Sequence, residues 1–163
     1  MRRWQQPIAR FLTHSVGQPD LVQDLSQEVF LRLYQAGPRY RETGVFSTWL
    51  YQIALNVARD AQRRRRRAPE PMDGCELAAP GTSAEKLCEQ QELASAVAQA
   101  VAKLPDALRE VLVLHHYEEL NFEQIARLTG TPPSTLKSRF AVALRRLRER
   151  LHQWGWDPEE TAP

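Results

Sequence analysis

Apolar residues recur at intervals of three and four along most of this chain, and no convincing stretch has the period of two of a half-buried strand. Glycine and proline cluster at 37–44, 69–81 and 130–133, so the periodic stretches are read as helices and the clusters as breaks. Over 20–35, Leu21, Val22, Leu25, Val29 and Leu33 share one arc and are assigned to core. From residue 46 onward, Phe46, Trp49, Leu50, Ile53 and Val57 form the next buried stripe. A helix from about 84 to 103 turns Leu87, Leu93, Val97, Val101 and Leu104 inward and is ended by Pro105; another, over 106–117, carries Leu108, Val111, Leu112 and Leu114.

The sharpest local signal lies near the C-terminal end. Asn121 followed by Gln124 is a capping-box start, NFEQIARL makes a short helix with Phe122, Ile125 and Leu128 inward, and Gly130 supplies a turn. The next helix begins near Pro132 or Pro133, where the missing N–H costs nothing, with Leu136, Phe140, Leu144, Leu147 and Leu151 as its inner stripe. Short helix, glycine turn and longer basic helix form a helix-turn-helix, with small Ala126 at the close approach. The expected fold is all-α: two small helical domains joined by a flexible linker, the C-terminal one a helix-turn-helix. The linker is 68–83, with three prolines, two glycines and little to bury, between domains at 1–67 and 84–153; 154–163 is a tail. Each flank is small enough to be marginal alone.

Charge changes the picture. The 163 residues hold 22 Lys and Arg against 20 Asp and Glu, a net of +2, which argues against a polyanionic partner if the charges are mixed. They are segregated: 1–67 is +7, 68–110 is −5, 111–153 is +3 and 154–163 is −3. Two basic blocks flanking an acidic one suggest two modules that face polyanions.

Three faces then stand out. Opposite the core arc of 20–35 lie Asp24, Gln27, Glu28 and Gln35 with Leu31 in their midst, an acidic patch with an apolar centre, either a protein-docking surface or a solvated face with one stray leucine. On 46–67, Gln52, Asn56, Arg59 and Arg63 line up at helical spacing, side chains suited to phosphates and base edges, and Arg63 to Arg67 are five consecutive cations where a helix dipole accounts for one or two. Tyr40, Phe46, Trp49 and Tyr51 are each better read as core, though beside this strip they could stack on unpaired bases. At the start of the last helix, Ser134, Thr135, Lys137, Ser138, Arg139, Ala141 and Val142 point outward toward a major groove, with Arg145, Arg146, Arg148 and Arg150 nearer phosphates.

No apolar run approaches the roughly 20 residues of a membrane span, and MRRWQQPIARFL has Gln and Pro where a signal peptide needs an apolar core, so a cytoplasmic protein without membrane insertion is expected. Cys75 and Cys88 have no partner at metal-ligand spacing, and adjacent His115 and His116 point to different faces, a buried edge and the surface. With no paired carboxylates, metal ligands or nucleophile motif, neither enzymatic activity nor a cofactor is expected.

The order DLSQEVFLRLYQ, FSTWLYQIALNVARD with its basic tail, then LPDALREVLVLHHYEELNFEQIARLTGTPPSTLKSRFAVALRRLRERL resembles the extracytoplasmic-function sigma factors of bacterial RNA polymerase over roughly residues 4–151. The resemblance implies a two-domain initiation factor that binds core polymerase and promoter DNA. Asp24, Gln27, Glu28 and Leu31 would dock on the clamp helices of the largest polymerase subunit. Arg39, Tyr40, Arg41 and Thr43, with Gln52, Asn56, Arg59 and Arg63, would melt the minus-ten element and capture a flipped base. Ser134, Thr135, Lys137, Ser138, Arg139, Arg145 and Arg146 would read the minus-thirty-five element. Relatives often place basic or aromatic residues where Ala141 and Val142 stand, so readout there would be apolar contact with a thymine methyl, or weaker. The family's first helix begins further upstream, so the one containing Trp4 is expected to be short. An anti-sigma factor would hold such a protein inactive. A stand-alone helix-turn-helix repressor or activator would explain the second module and leave the faces of the first without a purpose.

Overall fold

Phe11 and Leu12 follow Ile8 by three and four, and Val16 follows Leu12 by four; this stripe makes the opening helix, α1 (Arg2–Val16), the centre of the molecule: the first three are fully buried and Val16 nearly so. At 15 residues α1 is not short, and Pro7 lies within it. The structure, a computed structural model, describes residues 2–37, 46–67 and 85–155, so the expectations for 38–45, for the linker 68–83 and for most of the tail lie outside the described residues. Gly17 ends α1 at φ 70°, a left-handed conformation that favours glycine, and a Cβ there would come within 3.1 Å of the Ala102 Cβ.

Helix α2 (Pro19–Ala36) starts with proline at its first position and Asp20 in its first turn, and packs on α1 and α3 (Phe46–Arg67). Val29 and Leu33 are buried and Val22 and Leu25 packed against the core, as the arc predicts; Leu21 is not core, being 40% exposed. It sits in the first turn, where the stripe has barely reached its neighbours. Along α3, Leu50, Tyr51, Ala54, Leu55, Val57 and Ala58 are buried, while Phe46 and Trp49 are half-buried, Phe46 tilted against Trp4 and edge-on to Trp49 at centroid distances of 6.0 Å. Arg32 ties α2 to α3 through Asp60 at 3.0 Å, and Gln62 donates to the Ser15 carbonyl at 3.0 Å.

The second half holds α4 (Glu85–Ala102), α5 (Asp106–Leu112), α6 (Phe122–Thr129) and α7 (Pro133–Gln153). The 106–117 helix does not run regularly to its end: Val113–Tyr117 widens into a π-helical turn. Its buried set is Val111, Leu112, Val113 and Leu114, together with Arg109, only 3% exposed. Arg109 Nη1 donates to the Ala102 carbonyl at 2.5 Å and Nη2 pairs with Asp106, so a charged group is buried because it closes the end of α4. The capping box forms as expected, with Asn121 accepting from the Gln124 N–H and Gln124 accepting from the Asn121 N–H, both at 2.9 Å. Gly130 at φ 70° makes the turn into α7. On α7, Leu136 and Ala143 are buried and Phe140 and Leu147 packed against the core, but Leu144 is 47% exposed and does not belong to the inner stripe; Ala143 takes that place.

The two halves meet. The core is a single cluster running from Ile8 through Leu50 to Leu114 and Leu136, with α1 touching α4, α5 and the π turn, and α3 touching α6. Stability is therefore shared across halves that would each be marginal by themselves.

Candidate nucleic-acid interface

The α2 face keeps its polar residues outward. Asp24 and Gln27 are exposed, Glu28 is partly so and pairs with Arg32 at 2.7 Å, and Leu31 is 52% exposed. An apolar side chain of that exposure on the side opposite Val29 and Leu33 is not used by this fold. Tyr34, three residues on and 76% exposed, extends the same strip. Sequence reasoning passed over it, although its spacing from Leu31 was readable.

On α3, Gln52, Asn56 and Arg63 are exposed. Arg63 pairs with Asp60, whose carboxyl is held below its ordinary range by hydrogen bonds from Arg63 and then Arg32. Arg59 is turned elsewhere: its Nε and Nη2 donate to the two oxygens of Glu110 on α5 at 2.9 and 2.7 Å. Arg66 reaches Asp106 at 2.6 Å, so two cations of this face are engaged by carboxylates of α5. Arg64, Arg65 and Arg67 are exposed. Tyr51 leaves the set of candidate base-stacking aromatics, being 8% exposed, edge-on to Phe11 and bonded to Glu118. Arg39, Tyr40, Arg41 and Thr43 lie outside the described residues.

The start of α7 presents Ser134, Lys137, Ser138 and Ala141 to solvent, with Thr135, Arg139 and Val142 partly covered. Arg145 and Arg146 are exposed, and Arg145 approaches Glu149 at 3.8 Å. Arg139 lines the same cleft as Asn56, Arg59 and Arg63, so the basic strip of α3 and the front of α7 face one space of about 510 Å³. His115 behaves as a structural group: its Nδ1 lies 2.7 Å from the Leu120 carbonyl and its ring stacks on Phe122 at 4.3 Å, while His116 is exposed.

Residues 1–68 match the family model for sigma-70 region 2, and residues 94–147 the one for sigma-70, region 4. The chain is 31% identical to the RNA polymerase sigma-H factor of Pseudomonas aeruginosa, over 84% of this chain and 76% of that one. It is 30% identical to the ECF RNA polymerase sigma-E factor of Escherichia coli, with the same coverage. It is also 29% identical to the ECF RNA polymerase sigma factor SigW of Bacillus subtilis, over 91% and 84%. Among solved structures, the sigma factor RpoE in complex with the anti-sigma factor NepR from Bartonella quintana superposes with a TM-score of 0.71 over 91% of both chains, at 19% identity. CnrH in complex with the cytosolic domain of CnrY gives 0.68 over 93% and 84%, at 24% identity. These two likenesses carry the fold.

Proposed function

Because the chain belongs to the extracytoplasmic-function sigma factors, which bind core RNA polymerase and direct promoter-specific initiation, we propose a division of that work among its three faces. The α2 face of Asp24, Gln27, Glu28 and Leu31, extended by Tyr34, docks on polymerase. The α3 face of Gln52, Asn56, Arg59 and Arg63, with Arg39, Tyr40, Arg41 and Thr43, opens and holds the minus-ten element. Ser134, Thr135, Lys137, Ser138 and Arg139 read the minus-thirty-five element, with Arg145 and Arg146 on phosphates. The observation that carries this reading is Leu31, 52% exposed among acidic neighbours on the side of α2 away from the core of the described residues.

The physical work asked of these faces is binding rather than bond-making. Removing a base from the stack costs a few kcal/mol, returned by a receiving pocket and by cations on the backbone, so no catalytic group and no cofactor enters. The domains run over 1–67 and 84–153 with 68–83 between them and 154–163 as a tail, and the protein works where its polymerase does, in the cytoplasm. An anti-sigma partner is part of the reading, supported by the RpoE likeness, a protein solved bound to its anti-sigma factor NepR. A stand-alone repressor is disfavoured, since both of the chain's matched regions belong to sigma-70 models. Run-off transcription with bacterial core polymerase is the test: promoter-specific transcripts are expected when the chain is added. Tight binding to duplex promoter alone, with no initiation on any core enzyme, would overturn the proposal.

A further inference from the structure

Arg150, near the C-terminal end of α7, is half-buried, and its Nη1 is shut off from solvent without a hydrogen-bond acceptor. A buried donor left unpaired is costly, and a guanidinium nitrogen more so than a neutral group. At buried Arg109 the fold supplies acceptors to both Nη atoms, the Ala102 carbonyl and Asp106; at Arg150 it supplies a cavity. That cavity, of about 250 Å³, lies between the end of α4 and the last turns of α7. Lys103 and Arg146 line it as well, with the Glu149 carboxylate on the same wall, so three cations and one anion leave a net of +2 around one space. Glu149 is also approached by Arg145 at 3.8 Å, while among the described residues none of the three cations has a carboxylate in ion-pair contact. The Lys103 ammonium is kept at the rim by the Trp154 ring, 5.3 Å from its centre. Buried Leu104 and Pro105 add an apolar stretch of wall.

Cations converging on one space repel one another unless an anion lies between them. A phosphate monoester carries a charge of about −1.5 to −2 at pH 7 and three strong acceptor oxygens, which matches both the net charge and the donors; a phosphodiester of a nucleic-acid strand carries a single charge. The volume lies below the roughly 300–1,000 Å³ of sites for drug-sized ligands, so the group attached to the phosphoryl oxygen is small. We propose that this cavity binds a small phosphate monoester, with Arg150 and Lys103 holding the phosphoryl oxygens, Arg146 at the mouth, and the ester group against Leu104 and Pro105. At 3.6 residues per turn, Arg146 and Arg150 lie about a third of a turn round α7 from Lys137, Ser138 and Ala141, so the site is apart from the promoter-reading front and does not rest on that reading. Arg146 alone is shared with the phosphate assignment above. Occupation bridges the end of α4 to the last turns of α7 and relieves the repulsion among the three cations.

The test is calorimetric titration of the full chain with methyl phosphate and, separately, with dimethyl phosphate. One saturable site is expected for methyl phosphate, at least about ten-fold tighter than for dimethyl phosphate, with a rise in Tm on binding. Arg150→Gln should weaken methyl phosphate about ten-fold and Lys103→Gln about three-fold, while Arg127→Gln, which removes the same charge from an exposed position of α6 outside the cavity, should stay within about two-fold of wild type. Thermal melts without ligand show whether each variant is folded; should Arg150→Gln fail to fold, Lys103→Gln, at an exposed position, carries the comparison alone. The absence of saturable methyl phosphate binding up to about 10 mM overturns the proposal, as do equal affinities for the two esters or an equal loss in Arg127→Gln, either of which marks general attraction to a basic surface. Displacement of methyl phosphate by a scrambled DNA duplex also overturns it, since the cations would then serve the nucleic-acid backbone.

Discussion

Tyr51 on α3 donates its hydroxyl hydrogen to the carboxylate of Glu118, just past the π turn in the other half of the chain. Burial pushes the Tyr51 phenol up, and it pushes the Glu118 carboxyl up from its ordinary 4.5 against the opposing effect of the Tyr51 bond. The second carboxylate oxygen, Oε1, is buried without a hydrogen-bond partner. A carboxyl raised on folding gives stability that is fully present below its unfolded value and is lost as pH rises through the folded one. Glu118→Gln, which still accepts from Tyr51, is expected to remove that loss. In thermal melts from about pH 4 to about pH 7 the variant should gain on wild type as pH rises; a difference flat with pH would show that Glu118 is not the titrating group.

The capping box at Asn121 is expected to hold the helix-turn-helix start. Asn121→Ala leaves the Gln124 N–H without its acceptor and should cost about 1 kcal/mol. For a chain of this size that is a fall of about 3 °C in Tm, and an unchanged Tm would mean that water replaces the cap fully.

Docking and packing predict opposite outcomes at Leu31. Leu31→Ala should weaken binding to core polymerase by about ten-fold while leaving Tm within about 1 °C, and Tyr34→Ala should act in the same direction. Glu28→Arg should do the same through charge, with the loss of its Arg32 pair of little consequence at this exposure. A drop in stability of about 2–5 kcal/mol for Leu31→Ala would instead mark the face as packed.

Lys137, exposed in the first turns of α7, is the cation proposed to read bases. Lys137→Ala should weaken binding to the preferred minus-thirty-five duplex by about ten-fold and leave a scrambled duplex nearly unaffected. An equal loss on both would reassign it to phosphate.

The helices were legible because apolar spacing at three and four survives any tertiary context, and the capping box because its two residues act locally. Which residues of a stripe are covered depends on where neighbouring helices end. Leu21 and Leu144 carry the right spacing and still face solvent, one in the first turn of its helix and the other beside buried Ala143. The central role of α1 was hidden behind Pro7 and a polar opening, although Ile8, Phe11, Leu12 and Val16 have the required period. Arg109 gave no signal, since an arginine in a helix is read as surface until the Ala102 carbonyl it closes is known. For the site, spacing aligned Gln52, Asn56, Arg59 and Arg63. It carried no information on Glu110, because a contact between residues 51 positions apart leaves no periodic trace.

A core that runs unbroken from Ile8 to Leu136 bears on how such proteins diversify. If the halves were separate beads, promoter preference could be recombined by grafting the minus-thirty-five reader of one relative onto the minus-ten reader of another. Here the graft would bring its own counterparts for Tyr51, Arg59, Arg66 and Gly17. A chimera would inherit DNA specificity from one parent but its resting conformation from neither, unless the seam residues travelled with it.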